Sequence, residues 1–382
     1  MMPAYHRRPY IYPEDAYSMA IVKLGSGSNL LGYYMYHGGT NPEGKTYLNE
    51  NQRTQATNYN DMPVKNYDFQ APLGEFGQRN ESFYRLRPLH LFMQDWGETL
   101  APMEASFPSP QDIKKGDDSQ LRWAVRSEKS TSAFIFVNNY ERLQSLSAKK
   151  DVVLEACGVK LPKLTIPSGC MAIFPVNVDG IKYATAQLVA KRDGKIYLMQ
   201  IPGIPTTICM QGGKTLKNLK PQSLKPVCQN IYLLTQYEAE RLFLTGKGEV
   251  KSQEWTAEKV KEAGALRQIP IGVQKVAEEP TDEDFEQAAV YRIQVPGDRS
   301  SLLRITYQGD CARLYANGKL VADHFQYGRP MLYGLWRLPE GCNELELRIL
   351  PLQKDAPIYL PREAEKTLGE RLVKVELTNE GL

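Results

Sequence analysis

The chain has 382 residues, of which 42% are hydrophobic and 24% are charged, so it is long enough for two or three domains and has a globular composition. Its 47 basic and 44 acidic side chains are spread along the sequence with a formal charge of +3, which predicts no nucleic-acid partner and no anionic membrane partner. No apolar run approaches the roughly 20 residues that span a bilayer, and the opening MMPAYHRRPYIYPED lacks the apolar core of a signal peptide.

The first predicted elements are a helix and a strand. Residues 12–24, YPEDAYSMAIVKL, predict a helix, because Pro13 suits a first helical position and the two acids after it complement the positive end of the helix dipole. Residues 28–37 then predict a strand covered on both faces, because both sides of a two-residue period are largely apolar or aromatic. Its tyrosines either line a pocket at the strand end or pack beneath loops.

A long polar loop at residues 41–65 follows and has neither helical nor strand periodicity, and loops of this length are more often functional than idle. Residues 66–77, NYDFQAPLGEFG, predict a short aromatic strand that ends in Pro and Gly. Residues 80–97 predict a helix with one apolar face, because large apolar side chains recur there with helical spacing. These side chains are Phe83, Leu86, Leu89, Phe92, Met93 and Trp96.

Beyond a Pro-rich linker at residues 99–118, the pattern changes to short alternating strands, which predicts an all-β region. Residues 256–266 predict a small helix, and an acidic connector precedes a last β unit. In that unit, Asn317 and Gly318 predict the turn of a hairpin, and residues 343–352 predict a strongly alternating strand. The predicted strands before the small helix are 121–127, 132–140, 185–191, 195–201, 230–236 and 241–246.

Cysteine and histidine positions give no sign of a metal or redox site. The six cysteines are widely spaced without a CxxC pair, which predicts buried free thiols, no metal and no cofactor. The four histidines are too scattered to propose a metal cluster. The cysteines are Cys157, Cys170, Cys209, Cys228, Cys311 and Cys342, and the histidines are His6, His37, His90 and His324.

Two motifs in this order resemble glycoside hydrolase family 35, the β-galactosidases, and look most like its bacterial members. Residues 34–41, YMYHGGTN, match the pattern YMxxGGTN that ends the family's seventh barrel strand. Residues 67–77, YDFQAPLGEFG, match a pattern of the eighth strand, with Phe69 where the family usually has tyrosine. The resemblance is specific for about residues 9–97 and loose beyond them. It implies that Tyr34, Tyr67 and Phe69 help to bind a terminal galactose.

The resemblance implies a mostly β fold, with two β-sandwich, jelly-roll-like regions preceded by the last two β/α units of an incomplete (β/α)8 barrel. The expected domains are a barrel remnant at 1–98, a linker at 99–118, a β-sandwich at 119–275, an acidic connector at 276–287 and a galactose-binding-like β-sandwich at 288–382. A complete barrel takes roughly 250 residues, so about 97 residues are too few for one. We therefore expect a truncated gene, a start read inside a longer frame, or reliance on another chain that carries the other barrel half.

Catalysis by a retaining glycosidase needs two carboxyl groups about 5 to 5.5 Å apart. In the family both glutamates precede the YMxxGGTN segment, so the resemblance implies that this chain has no catalytic residue and is inactive alone. Glu75 is a tempting substitute, but it matches a position of the pattern that is not catalytic. Family members are commonly exported, although the opening residues show no signal peptide.

The alternative class is a non-catalytic binding protein, in which the sandwiches at 119–275 and 288–382 recognise carbohydrate. The terminal sandwich offers four candidate sugar contacts. Because aromatic side chains at alternating strand positions are usually internal, core and hairpin packing is the favoured interpretation of these four. They are Tyr315, His324, Tyr327 and Trp336.

Overall fold

The structure, a computed structural model, describes residues 3–42, 52–53, 61–108, 114, 116–222, 225–245 and 250–382. Within those residues the protein is mostly β, with three α-helices and 26 strands arranged in several sheets, as the sequence predicts. The helices are α1 (Pro13–Gly25), α2 (Glu81–Leu100) and α3 (Gln236–Glu240). The strands are β1 (Gly39–Thr40), β2 (Asn66–Tyr67), β3 (Glu104–Ser106), β4 (Arg122–Glu128), β5 (Ser132–Asn138), β6 (Lys149–Val152), β7 (Glu155–Ala156), β8 (Val159–Lys160), β9 (Leu164–Ile166), β10 (Met171–Val178), β11 (Ile181–Ala184), β12 (Ala186–Arg192), β13 (Lys195–Gln200), β14 (Thr206–Met210), β15 (Thr215–Leu219), β16 (Pro226–Cys228), β17 (Ile231–Leu234), β18 (Ser252–Trp255), β19 (Ala257–Lys261), β20 (Ala289–Gln294), β21 (Leu302–Gln308), β22 (Cys311–Ala316), β23 (Lys319–Phe325), β24 (Met331–Gly334), β25 (Glu344–Ile349) and β26 (Arg371–Thr378).

The chain forms two units, each built from segments that are separated in the sequence. Unit 1 consists of Met1–Ile11, Tyr34–Asn80 and Lys247–Leu382. Unit 2 consists of Tyr12–Tyr33 and Glu81–Gly246. The five contiguous domains expected from the sequence divide the chain at other positions and stay a prediction.

Unit 1 contains two larger sheets, with strand orders β18-β26-β21-β24 and β19-β20-β25-β22-β23. Both sheets contribute to one hydrophobic core, for example Leu303 and Ile305 from β21 with Leu314 from β22 and Leu347 from β25. Apolar side chains alternate with polar ones along these strands, so each sheet turns one face inward. This arrangement is consistent with the β-sandwich that the sequence predicts for the end of the chain.

The predicted hairpin of unit 1 is confirmed. Ala316 pairs with Lys319 across a two-residue turn between β22 and β23. Asn317 and Gly318 have φ angles of 49° and 75°, the left-handed conformation that Asn and Gly adopt most readily. The pair Asn-Gly therefore fixes the register of this hairpin.

Unit 2 places both predicted helices against a seven-stranded sheet with strand order β15-β14-β11-β10-β5-β4-β3. In β5, Ile135 and Val137 point to a core shared with the four-stranded sheet β12-β13-β17-β16. Phe134 alternates with them and packs edge-on against Phe92 of α2, with ring centroids 5.1 Å apart. Because both faces of β5 are covered, the strand is apolar along most of its length.

Three sequence predictions fail in the structure. Residues 28–37 do not form the predicted strand, because in the described part of the chain their only ladder contact is one bridge from His37 to Leu73. Residues 256–266 do not form the predicted helix; within them, Ala257–Lys261 form strand β19, because pairing with β20 outweighs their helix propensity. Residues 241–245 form turns after α3 and no strand.

The barrel remnant expected for residues 1–98 is not confirmed, since β1 and β2 pair only with each other and have two residues each.

All six cysteines are free, and five of them are buried. None of the helices in the described ranges combines the length and the apolar character needed to cross a bilayer.

Candidate functional site

The three predicted sugar-binding residues come together in unit 1. The hydroxyl groups of Tyr34 and Tyr67 lie 3.0 Å apart, within hydrogen-bond distance. The Phe69 ring lies edge-on to both, with ring centroids 5.3 Å from Tyr34 and 4.6 Å from Tyr67. Tyr34 is 76% exposed, so solvent reaches the group. We call these three residues the aromatic trio.

Tyr67 of the trio lies in a two-stranded antiparallel ribbon of β1 and β2. Gly39 lies opposite Tyr67, and Thr40 lies opposite Asn66. Because successive side chains of a strand point to opposite faces, Tyr67 lies on one face of the ribbon, whereas Thr40 and Asn66 lie on the other. Gly39 has no side chain, so the trio face of the ribbon is open beside Tyr67.

Glu75 lies on the face opposite the trio. One carboxylate oxygen accepts a hydrogen bond from the Thr40 hydroxyl, and the other accepts one from Asn66 Nδ2 at 3.2 Å. Glu75 is 4% exposed, and burial, with added repulsion from Asp68 and Asp323, raises its pKa to about 8 although Thr40 and Arg337 oppose the rise. At neutral pH the carboxyl is therefore mainly protonated.

Two further carboxylates hold the backbone of the second motif. Asp323 of β23 accepts hydrogen bonds from the backbone N–H groups of Val64, Lys65 and Asn66, the last two at 2.9 Å. Asp68 accepts from Glu75 N at 2.6 Å and from Gln70 N at 3.0 Å. Burial raises the pKa of both aspartates, while these N–H donors lower it. Both aspartates thus use their oxygens to fix the loop.

Phe69 has an unusual backbone conformation. Its φ angle is 57° and that of Gln70 is 54°, a left-handed conformation that costs a non-glycine residue about 1 kcal/mol or more. The Gln70 side chain offsets part of this cost, because its Nε2 donates to Pro9 O at 2.7 Å and its Oε1 accepts from Ile11 N at 2.9 Å. The Phe69 ring is therefore held in place by its neighbour.

Arg337 connects the two motifs. Its Nη1 donates to the Thr40 hydroxyl at 2.6 Å, and its Nη2 donates to Glu75 O at 3.0 Å. The guanidinium also lies over the Phe76 ring, 4.7 Å from the centroid. Sequence analysis missed Arg337, Asp323 and Gln70; only Gln70 had a local signal, since Asp68 two residues earlier favours an Asx turn.

The four candidate contacts of the terminal sandwich have different environments. His324 and Tyr327 are 5% and 8% exposed, so both are packing residues, and burial lowers the pKa of His324 to about 3. Trp336 is 42% exposed and lies edge-on to Phe76 at 6.3 Å. Tyr315 is half-buried beneath the guanidinium of Arg348. The structure does not bring these four together as one sugar site.

A cavity of about 790 Å³ lies in unit 2 and shares no residue with the trio. Its walls are mainly apolar, including Ile21 and Val22 of α1 and Phe107, Trp123 and Phe136. Among the described residues that line it, none carries a carboxylate. In the part of the chain that the structure describes, no group of three or more His, Cys, Asp or Glu side chains is placed to hold a metal ion.

Comparisons with known proteins give a limited similarity to glycoside hydrolases. No protein-family model matches the chain. Beta-galactosidase 11 of Arabidopsis thaliana is 27% identical over 185 residues, which are 48% of this chain and 18% of that protein. A rhamnosidase from Novosphingobium sp. PP1Y aligns with 14% identity and a TM-score of 0.22 over 76% of this chain and 26% of that chain. A GH31 alpha-xylosidase from Xanthomonas citri aligns with 10% identity and a TM-score of 0.13 over 72% and 38%. At these TM-scores the two structures support no inference.

Proposed function

We propose that this chain is part of a β-galactosidase-like glycoside hydrolase and that the aromatic trio binds the terminal β-galactoside. The observation that carries the proposal is the convergence of Tyr34 from the first motif with Tyr67 and Phe69 from the second. Phenol hydroxyls and ring faces suit a sugar, which presents both hydroxyls and C–H patches. The similarity to a plant β-galactosidase, which covers 48% of this chain, supports the same class.

The catalytic carboxylate pair is proposed to come from a segment outside this sequence. Three carboxyls bond to the ribbon or to the backbone beside the trio, and donors engage the oxygens of each: Asp68, Glu75 and Asp323. Glu75 also lies on the other face of the ribbon from the trio. None of the three is therefore proposed as an acid or nucleophile, and we propose that this chain alone is not hydrolytic.

Fluorine NMR tests the binding proposal. In protein labelled with 3-fluorotyrosine, the resonances of Tyr34 and Tyr67, assigned with Tyr→Phe variants, should shift together on titration with methyl β-D-galactoside at millimolar concentrations. The resonance of Tyr359, which is 75% exposed and outside the trio, should not move and is the matched control. Phe69→Ala should weaken the titration about tenfold, or ~1.4 kcal/mol. A titration that leaves Tyr34 and Tyr67 unchanged contradicts the proposal.

A further inference from the structure

A second surface depression in unit 1 lies between β22 and β25. Its volume is about 450 Å³, within the range of about 300 to 1,000 Å³ that is typical of small-molecule sites. None of its residues belongs to the trio, to Glu75 or to the ribbon. We call it the turn pocket, and it is lined by Tyr315, Asn317, Gly318, Gly341, Asn343, Glu344, Glu346 and Arg348.

The walls of the turn pocket are formed by two turns and two paired strands. Tyr315 of β22 lies directly opposite Glu346 of β25. The Asn317-Gly318 turn and Gly341 have left-handed φ angles, and each of these positions suits Asn or Gly. The backbone geometry that forms the depression is therefore specified locally and does not depend on a ligand.

The charged side chains of the turn pocket are partly exposed and pair with one another or with neighbouring strands. The Arg348 guanidinium lies over the Tyr315 ring, 4.7 Å from the centroid, and its Nε donates to Glu346 at 2.6 Å. A guanidinium has five N–H donors in a planar arrangement, of which this bond uses one. Glu344 lies 3.5 Å from Arg292 of β20. Arginine, carboxylate and amide groups thus border one aromatic side chain.

We propose that the turn pocket is a binding site for a small neutral saccharide. Planar polar side chains can each bind two adjacent hydroxyls, and the part of the Tyr315 ring that the Arg348 guanidinium leaves uncovered adds aromatic surface for the C–H groups of a sugar ring. The pocket has two carboxylates and one guanidinium, so its net charge disfavours an anionic ligand. The described residues offer no three-ligand metal cluster here, so the two glutamates are not assigned to a cation.

The competing interpretation is a solvated sheet face whose charges only pair with one another. Paired charges on exposed strands are common and contribute little to stability. The stacked arginine and the depression between two turns favour binding. The proposal is independent of the trio, and an experiment that reads each site separately distinguishes the failure of one from the failure of the other.

The test uses the full chain labelled with 3-fluorotyrosine and carrying Tyr34→Ala, so that the trio is impaired. Lactose at millimolar concentrations should shift the Tyr315 resonance, and Arg348→Gln should weaken this titration about tenfold, or ~1.4 kcal/mol. Tyr359→Ala, which removes an exposed tyrosine outside the pocket, should leave it unchanged. Unchanged thermal unfolding of each variant shows that it is folded.

Two outcomes overturn the proposal. One is a Tyr315 resonance that lactose does not shift, or whose titration ignores Arg348→Gln, which leaves a solvated sheet face only. The other is tighter binding of galacturonate than of lactose, which contradicts the neutral ligand class. The Tyr67 resonance, read in the same spectra, reports the trio and keeps the two sites apart.

Discussion

At the scale of single residues, Glu75 shows how burial decides the role of a carboxyl group. The sequence places it inside a family motif, where it is a tempting acid or base. The structure buries it between Thr40 and Asn66 and gives it a raised pKa of about 8. A carboxyl that is protonated at neutral pH and bonded on both oxygens serves to hold the ribbon that carries Tyr67 of the trio.

We predict that Glu75→Gln stabilises the protein at alkaline pH. The folded pKa of about 8 lies above the ordinary value of 4.5, so the folded state binds the proton more tightly. The contribution of this carboxyl is therefore fully present below about pH 4.5 and is lost as pH rises to about 8. The amide has no such dependence, so the variant should gain a few kcal/mol at about pH 9 relative to about pH 5, because each pKa unit is about 1.4 kcal/mol. Urea unfolding at both pH values measures the difference.

The control for this prediction is Glu254→Gln, because Glu254 is an exposed acid on β18 of the same unit. Its effect on the free energy of unfolding should be small at both pH values. A Glu75→Gln effect that is the same at both pH values would show that the folded-state pKa is not raised.

The trio and its support differ in how far the sequence reveals them. Tyr34, Tyr67 and Phe69 belong to local motifs, so the resemblance to a family singles them out; that they bind a sugar stays a prediction. Asp323 bonds to Lys65 across 258 positions of sequence, and Arg337 bonds to Thr40 across 297. No local pattern marks such a partner, because the fold alone brings the two segments together.

At the scale of elements, one buried side chain caps the C-terminal ends of two helices. Arg126 of β4 is 1% exposed, and its guanidinium donates to Leu24 O at 2.8 Å, Leu100 O at 3.0 Å and Met103 O at 2.8 Å. Leu24 and Leu100 lie in the last turns of α1 and α2, where carbonyl groups have no partner within the helix and carry the negative end of the dipole. Arg126 therefore joins both helices to the seven-stranded sheet.

We predict that Arg126→Met destabilises unit 2 by about 3 kcal/mol or more, because three hydrogen bonds from a charged group to buried carbonyl oxygens are lost, at about 1 to 3 kcal/mol each. The matched control is Arg122→Met on the same strand, whose pair with Glu141 is about one-third exposed on both sides. That change should cost less than about 1 kcal/mol. Denaturant unfolding compares the two variants, and equal effects would contradict the capping role of Arg126.

Element prediction succeeded where local pattern and tertiary environment agree. Helices α1 and α2 and the hairpin at Asn317 follow from end signals, periodicity and turn chemistry. The strand predicted at residues 28–37 failed because a strand needs a paired neighbour, which apolar alternation cannot supply by itself. The helix predicted at residues 256–266 failed for the opposite reason. Strand β20 pairs with β19, and helix propensity cannot reveal such a partner.

At the scale of the whole molecule, the segments of the two units alternate along the sequence. Changes in composition mark positions along a chain and not contacts between distant segments. They can therefore predict only contiguous domains. The mostly β character was predictable from strand patterns, whereas the assignment of residues 34–80 to the unit that contains the terminal strands was not.

Several apolar side chains of unit 2 are exposed. Met19 and Val22 on α1 are 59% and 45% exposed, and Leu30 after the helix is 90% exposed. Burying apolar surface stabilises an association by about 25 cal/mol per Å², before the entropic cost of association. The 185 residues that match the plant relative are 18% of that protein. The barrel half that we propose as a second chain would bury these side chains.

We therefore predict that β-galactosidase activity appears only when the barrel half of a related β-galactosidase is co-expressed with this chain. The isolated chain should release no chromophore from an aryl β-galactoside, because aromatic positioning without an acid and a nucleophile leaves most of the barrier in place. In the assembled pair, Tyr34→Ala should lower kcat/KM by about tenfold or more, or ~1.4 kcal/mol, while the two chains still co-purify. Tyr359→Ala is the control and should change neither. Chains that never co-purify, or an active pair that is indifferent to Tyr34→Ala, would show that the trio does not complete a galactoside site.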